Sequence, residues 1–123
     1  MNFAELVGKT MTSVRNVDDE EIVFTTDTGN TYKLYHSQDC CESVRVESIT
    51  GDLDDLIGVP ILSAEEACNN DDPEGYKHEG SYRAESQTWT FYKLRTIKGS
   101  VDIRWYGESN GYYSESVDFA KVA

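Results

Sequence analysis

Through residues 89–106, polar and apolar side chains alternate on either side of a turn signal, Lys98-Gly99. Only an extended chain sends successive side chains to opposite faces, so this stretch reads as strands rather than helix. Val101, Ile103 and Trp105 fall on one face and Asp102, Arg104 and Tyr106 on the other. That is the pattern of an antiparallel sheet with one covered side. The same reading predicts strands over residues 11–17, 22–26, 31–36, 43–49, 89–97, 101–106 and 112–122. Turn signals separate them at Asp18-Asp19-Glu20, Asp27-Thr28-Gly29-Asn30 and Asn110-Gly111. Residues 61–68 have capping-box spacing at Ser63 and Glu66, but Pro60 and the local alternation favour a strand. Asn2 with Glu5, and Asp52 ahead of Leu53, Leu56 and Ile57, mark two short helical turns. The expected fold class is mainly β, a β-rich α+β domain: an antiparallel meander sheet, open to curling toward a barrel, with one or two short helices.

A chain of 123 residues suits a single domain spanning residues 1–123. The stretch 69–80 is polar, contains Pro73 and has no period, so it reads as a mobile loop within that domain. Near the C-terminus the pattern conflicts with itself. A two-residue Asn110-Gly111 loop places Trp105 opposite Ser116, whereas the apolar positions are Val117 and Phe119. A one-residue slip exchanges every side chain between faces, so a bulge at Gly107 or a longer loop is expected to absorb it. Either device bends the tip and presents Asn110, Tyr112 and Tyr113.

Charge narrows the functions open to the chain. There are 23 Asp and Glu against 11 Lys and Arg, a net charge of −12. Affinity for phosphate backbones comes largely from Lys and Arg, so direct nucleic-acid binding is disfavoured. An anionic membrane surface is excluded on the same ground. No apolar run reaches the roughly 20 residues of a membrane span, and the opening Met-Asn-Phe-Ala-Glu-Leu has no signal-peptide character. Three cysteines, two of them adjacent, make a poor disulfide framework, so a reducing, cytoplasmic setting is expected.

The densest reactive stretch is Tyr35-His36-Ser37-Gln38-Asp39-Cys40-Cys41-Glu42. Strand parity puts His36 with Tyr32 and Leu34, pointing inward, where a histidine bonded to a carboxylate is a structural fixture. Adjacent cysteines do not provide the spaced chelate of a zinc site, and Cys68 and His78 stand apart. The Cys pair reads more simply as one buried thiol and one partly exposed. The acidic runs near Asp52 and Asp71 lack the alternate spacing of a calcium loop. No phosphate loop, nucleophile elbow or His-Glu-x-x-His motif is present. No metal and no cofactor are therefore expected.

Aromatic side chains are the remaining lead, with eight Tyr against four Phe. Trp105, Phe91 and Phe119 are expected in the core, and Tyr92, Tyr106 and Tyr112 on an open sheet face suited to recognition. The candidate binding residues are therefore Tyr35, His36, Asp39, Glu42, Tyr92, Tyr106, Asn110, Tyr112 and Tyr113.

The strings Leu-Tyr-His-Ser-Gln-Asp-Cys-Cys-Glu-Ser-Val at 34–44 and Ile-Arg-Trp-Tyr-Gly-Glu-Ser-Asn-Gly-Tyr-Tyr-Ser at 103–114 are distinctive. With Leu-Val-Gly-Lys-Thr at 6–10, Gly-Asp-Leu-Asp-Asp-Leu-Ile-Gly at 51–58 and Trp-Thr-Phe-Tyr-Lys at 89–93, they resemble a family of short proteins carried by bacteriophages and prophages. The resemblance covers nearly the whole chain. It implies a setting, the cytoplasm of a bacterial host, and transfers no catalytic residue. The leading expectation is a non-enzymatic binding protein that captures or inhibits a host component, a protein or a small signalling ligand, and so counters host defence. Homo-oligomer formation is left open. One alternative is an acidic nucleic-acid mimic that blocks a host DNA-binding enzyme. Another is a small thiol- or metal-dependent enzyme using His36 with Cys40 or Cys41.

Overall fold

Alternation becomes two antiparallel sheets in the computed structural model, which describes residues 2–39, 41–70, 86–111 and 114–122. Strands β1 (Met11–Val17), β2 (Glu21–Thr26), β3 (Thr31–Tyr35) and β8 (Asp118–Lys121) form the first sheet in the order β1-β2-β3-β8. Strands β4 (Ser43–Thr50), β5 (Ser63–Asn69), β6 (Ser86–Thr96) and β7 (Gly99–Ser109) form the second in the order β4-β7-β6-β5. The mainly β class is as read from the sequence, but the single meander is divided between two sheets and no barrel closes. The two helical turns are 3-10 turns, Phe3–Leu6 and Leu53–Leu56, capped by the Asn2 and Asp52 side chains at 2.9 Å. Residues 63–69 are the strand that Pro60 favoured. The polar stretch lies outside the described residues from residue 71 to its end.

The expected pairing of the last strand with β7 does not occur. β8 joins β3 instead, with Leu34 opposite Phe119 and Tyr35 opposite Asp118. After β7 the chain therefore crosses to the other sheet, and the register conflict never arises. Burial is the reason: Phe119 packs against Phe3 at 5.3 Å and stacks on Tyr32 at 5.7 Å between ring centroids. Gly107 forms no bulge and pairs regularly with Val44 and Thr88. Its lack of a side chain serves the crossing chain, because a Cβ there would come within 2.9 Å of the Glu115 carbonyl oxygen. The irregularities fall elsewhere, between Met11 and Ser13 in β1 and between Val46 and Ser48 in β4.

The core lies between the sheets. Ile22, Phe24 and Leu34 meet Leu94, Val101, Ile103 and Trp105, all essentially without solvent contact. Phe3, on the first 3-10 turn, touches Phe24, Tyr92 and Phe119 at 4.8–6.3 Å and so bridges both sheets. Tyr92 corrects the expected parity: it is opposite Ile103 and wholly buried, while Phe91 is opposite Arg104 and half-buried. No helix among the described residues is long and apolar enough to cross a membrane.

Tyr92 carries a measurable consequence. Its buried hydroxyl has no hydrogen-bond partner. Burial above all, then the nearby Glu66 carboxylate, pushes its ionisation far above the ordinary phenol range. The folded state thus keeps a proton that the unfolded chain releases above about pH 10, and stability falls as pH rises beyond that point. Tyr92→Phe should remove about 1 kcal/mol of this alkaline loss between roughly pH 10 and 11, read by urea unfolding. An unchanged slope in the variant would show that Tyr92 ionises freely in the fold. At neutral pH the substitution should be neutral or stabilising by about 1 kcal/mol, since it deletes an unsatisfied polar group.

Candidate functional site

At the end of β3 the inward parity of Tyr32 and Leu34 continues to His36, whose side chain is only 5% exposed. Its Nδ1 lies 2.7 Å from the Ser116 carbonyl oxygen and its Nε2 lies 2.8 Å from Glu42 Oε2. Both partners are acceptors. Both ring nitrogens are thus engaged within the fold, one by a backbone carbonyl and one by a carboxylate. Glu42 is fully enclosed, and its carboxylate also accepts from the Asp39 N–H at 3.0 Å and from Gln38 Nε2 at 3.2 Å. Gln38 Nε2 reaches the Glu42 carbonyl oxygen as well, at 2.7 Å. A buried charge is tolerable only when paired and hydrogen-bonded in this way. The cluster clasps the segment entering β4 to the segment entering β8.

A second buried carboxylate lies on the chain that crosses from β7 to β8. Glu115 accepts from Thr88 Oγ1 at 2.8 Å and from the Ser109 hydroxyl, and that hydroxyl also accepts the Gly111 N–H at 3.0 Å. Pairing of Ser43 with Glu108 brings the start of β4 to the end of β7, so the His36 segment and the Asn110 tip share one end of the molecule.

Beside the clasp is a depression of about 500 Å³ lined by Glu20, Glu21, Lys33, Tyr35, His36, Gln38 and Val44. Lys33 Nζ lies 4.6 Å over the Tyr35 ring and 3.7 Å from Glu21 Oε2. The Asp19 carbonyl accepts from the Val46 N–H at 2.7 Å, tying the β1–β2 turn to β4 and fixing the rim. The cation in the depression's lining is held by partly exposed contacts, of a kind worth about 0–1 kcal/mol.

The candidate residues divide between these places. Tyr35, His36, Asp39 and Glu42 come together, although Glu42 and the His36 ring are internal supports rather than ligand-facing groups. Tyr92 is a core residue and lines no open face. Tyr106 is also enclosed, 2% exposed, with its ring 4.6 Å from that of Trp89. Arg45 lies over Tyr106 and Arg104 over Trp89, and Arg104 is held by Glu47 at 2.7 Å. Asn110 is exposed at the tip. Tyr112 and Tyr113 lie outside the described residues. The cysteines also differ from expectation: Cys41 is held in a disulfide, while Cys68 is a free, exposed thiol. Cys41 in that state supplies no thiolate beside His36.

Sequence reasoning missed Glu115, Gln38, Ser116 and the lining residues Lys33, Glu20, Glu21 and Val44. Only one signal pointed to Glu115, the glycine at 107 over which it crosses. No group of three or more His, Cys, Asp or Glu among the described residues is placed to hold a metal ion.

Fold and site together define a two-sheet antiparallel β protein with a buried acid–base clasp beneath a shallow mixed-charge depression. Residues 4–119 match a family described as a domain of unknown function, DUF7448, and the chain belongs to that family. No curated protein and no solved structure matches it.

Proposed function

We propose that the chain is a non-enzymatic binding protein of phage origin that captures a host component at the depression around Tyr35. The observation that carries this reading is the use of His36: both ring nitrogens are spent on holding the fold, and its carboxylate partner is enclosed. The His36–Glu42 pair thus serves as a platform beside the depression, whose lining includes Tyr35, Lys33 and Gln38. A tyrosine ring with a long cation beside it loses little entropy on engagement and recognises planar or polar groups. In a bacterial cell a protein or small signalling ligand of the host, defence components included, is the class of target proposed. The excess of carboxylates keeps the surface from collecting nucleic acid non-specifically.

The test is affinity capture from host lysate with wild type and with the Lys33→Glu/Tyr35→Ser double variant, proteins and released small molecules both being identified. Both positions are only partly buried, so the variant should keep its melting temperature within a few degrees for a shift of about 0.5 kcal/mol. It should lose one component that the wild type retains. Identical captures from the two proteins would sink the assignment of the depression.

A further inference from the structure

In a chain of net charge −12 cations are scarce, and most of those described have an internal partner. Lys33 and Arg104 are ion-paired, Lys9 and Lys98 donate to backbone carbonyls, and Arg45 lies over a tyrosine ring. Four do not: among the described residues Arg15, Lys93, Arg95 and Lys121 are exposed and none makes an ion pair or a side-chain hydrogen bond, and of these Lys93 and Arg95 share one face of β6.

Register explains what surrounds them. On the outer face of the second sheet, Arg95 of β6 is directly opposite Ser63 of β5 on one side and Ser100 of β7 on the other. The next row holds Lys93 between Glu65 and Asp102. These residues line a depression of about 330 Å³. The two rows are electrostatically unlike. Lys93 is flanked by two carboxylates, whereas Arg95 is flanked by two serines and has no carboxylate directly opposite it. A guanidinium fork with a hydroxyl on each side matches the acceptors of a carboxylate or phosphoryl group. Glu65 and Asp102, a row away at roughly 7 Å along the strands, oppose any ligand that extends a second negative charge towards them.

We propose that this face carries a binding site for a small ligand bearing one oxyanion group, held by Arg95 with Ser63 and Ser100. It is separate from the depression around Tyr35 and does not depend on the capture reading above. Its net field is adverse to anions in general, so the site selects by fit and not by bulk attraction.

The experiment is a titration of the ¹⁵N-labelled protein with inorganic phosphate and, separately, acetate, at constant ionic strength. Saturable amide shifts are expected at Ser63, Arg95 and Ser100. Arg95→Gln should weaken the binding at least about tenfold, the loss of charge-assisted hydrogen bonds. Arg15→Gln removes the same charge from β1 and should leave affinity within about twofold, screening having erased its distant effect. Tighter phosphate than acetate assigns a phosphoryl group, and the reverse assigns a carboxylate. Shifts that do not saturate, or equal weakening by both variants, would overturn the proposal.

Discussion

Glu42→Ala is expected to cost about 3–5 kcal/mol of folding stability, the penalty for removing one partner of a buried pair. The side chain is wholly enclosed, and three groups are arranged around its carboxylate: the His36 ring, the Gln38 amide and the Asp39 N–H. After truncation the His36 Nε2 and the Asp39 N–H both face a void and lose their shared partner. With a urea slope of about 1–3 kcal/mol per molar, the unfolding midpoint should fall by more than about 1 M. Glu42→Gln keeps the shape and the ability to accept the Asp39 N–H, so its cost should be distinctly smaller. A double-mutant cycle with His36→Asn should show strong coupling, since both changes act on one bond. If Glu42→Ala costs under about 1 kcal/mol, the clasp is not what joins the segments before β4 and β8.

Phe3→Ala should be comparably damaging, at about 3–5 kcal/mol. Few side chains touch so many others of different origin: Phe24 in the first sheet, Tyr92 in the second and Phe119 on the strand that crosses between them. Removing the ring leaves a cavity at the meeting point of the sheets, and the 3-10 turn that carries it loses its anchor. Phe3→Leu, which refills part of the volume, should recover most of the loss. Thermal unfolding of the pair decides it. Equal melting temperatures for wild type and Phe3→Ala would mean that the turn only rests on the surface.

Much of this architecture was legible because strands advertise themselves by period. β1 through β4 and both capped turns were read close to their observed limits, since each rests on local alternation and local turn chemistry. What escaped reading was pairing between distant segments. Nothing local tells residues 118–121 whether to lie beside β7 or beside β3; burial of Phe119 against Phe3 and Tyr32 decides it. The fate of Tyr92 was within reach. Any two-residue loop between β6 and β7 puts it on the face of Ile103 and Trp105, so grouping it with Tyr106 was an error of parity and not a gap in the sequence signal. His36 was correctly expected to turn inward to a carboxylate. The identity of that carboxylate, six residues on, follows from the reversal of the chain through residues 37–42 and not from strand parity.

The crossing of the chain from one sheet to the other also sets a timetable. The His36–Ser116 bond spans 80 residues, and the β3–β8 ladder beside it spans a similar distance. Ordering that much chain before the contacts repay it is slow, on the order of milliseconds to seconds for topologies of this kind. The β1-β2-β3 hairpins can form early from neighbours in sequence, but they remain an open-edged ribbon until the last strand arrives. During that interval the unfilled edge of β3 is open to a β8 from any copy of the chain, its own or another's.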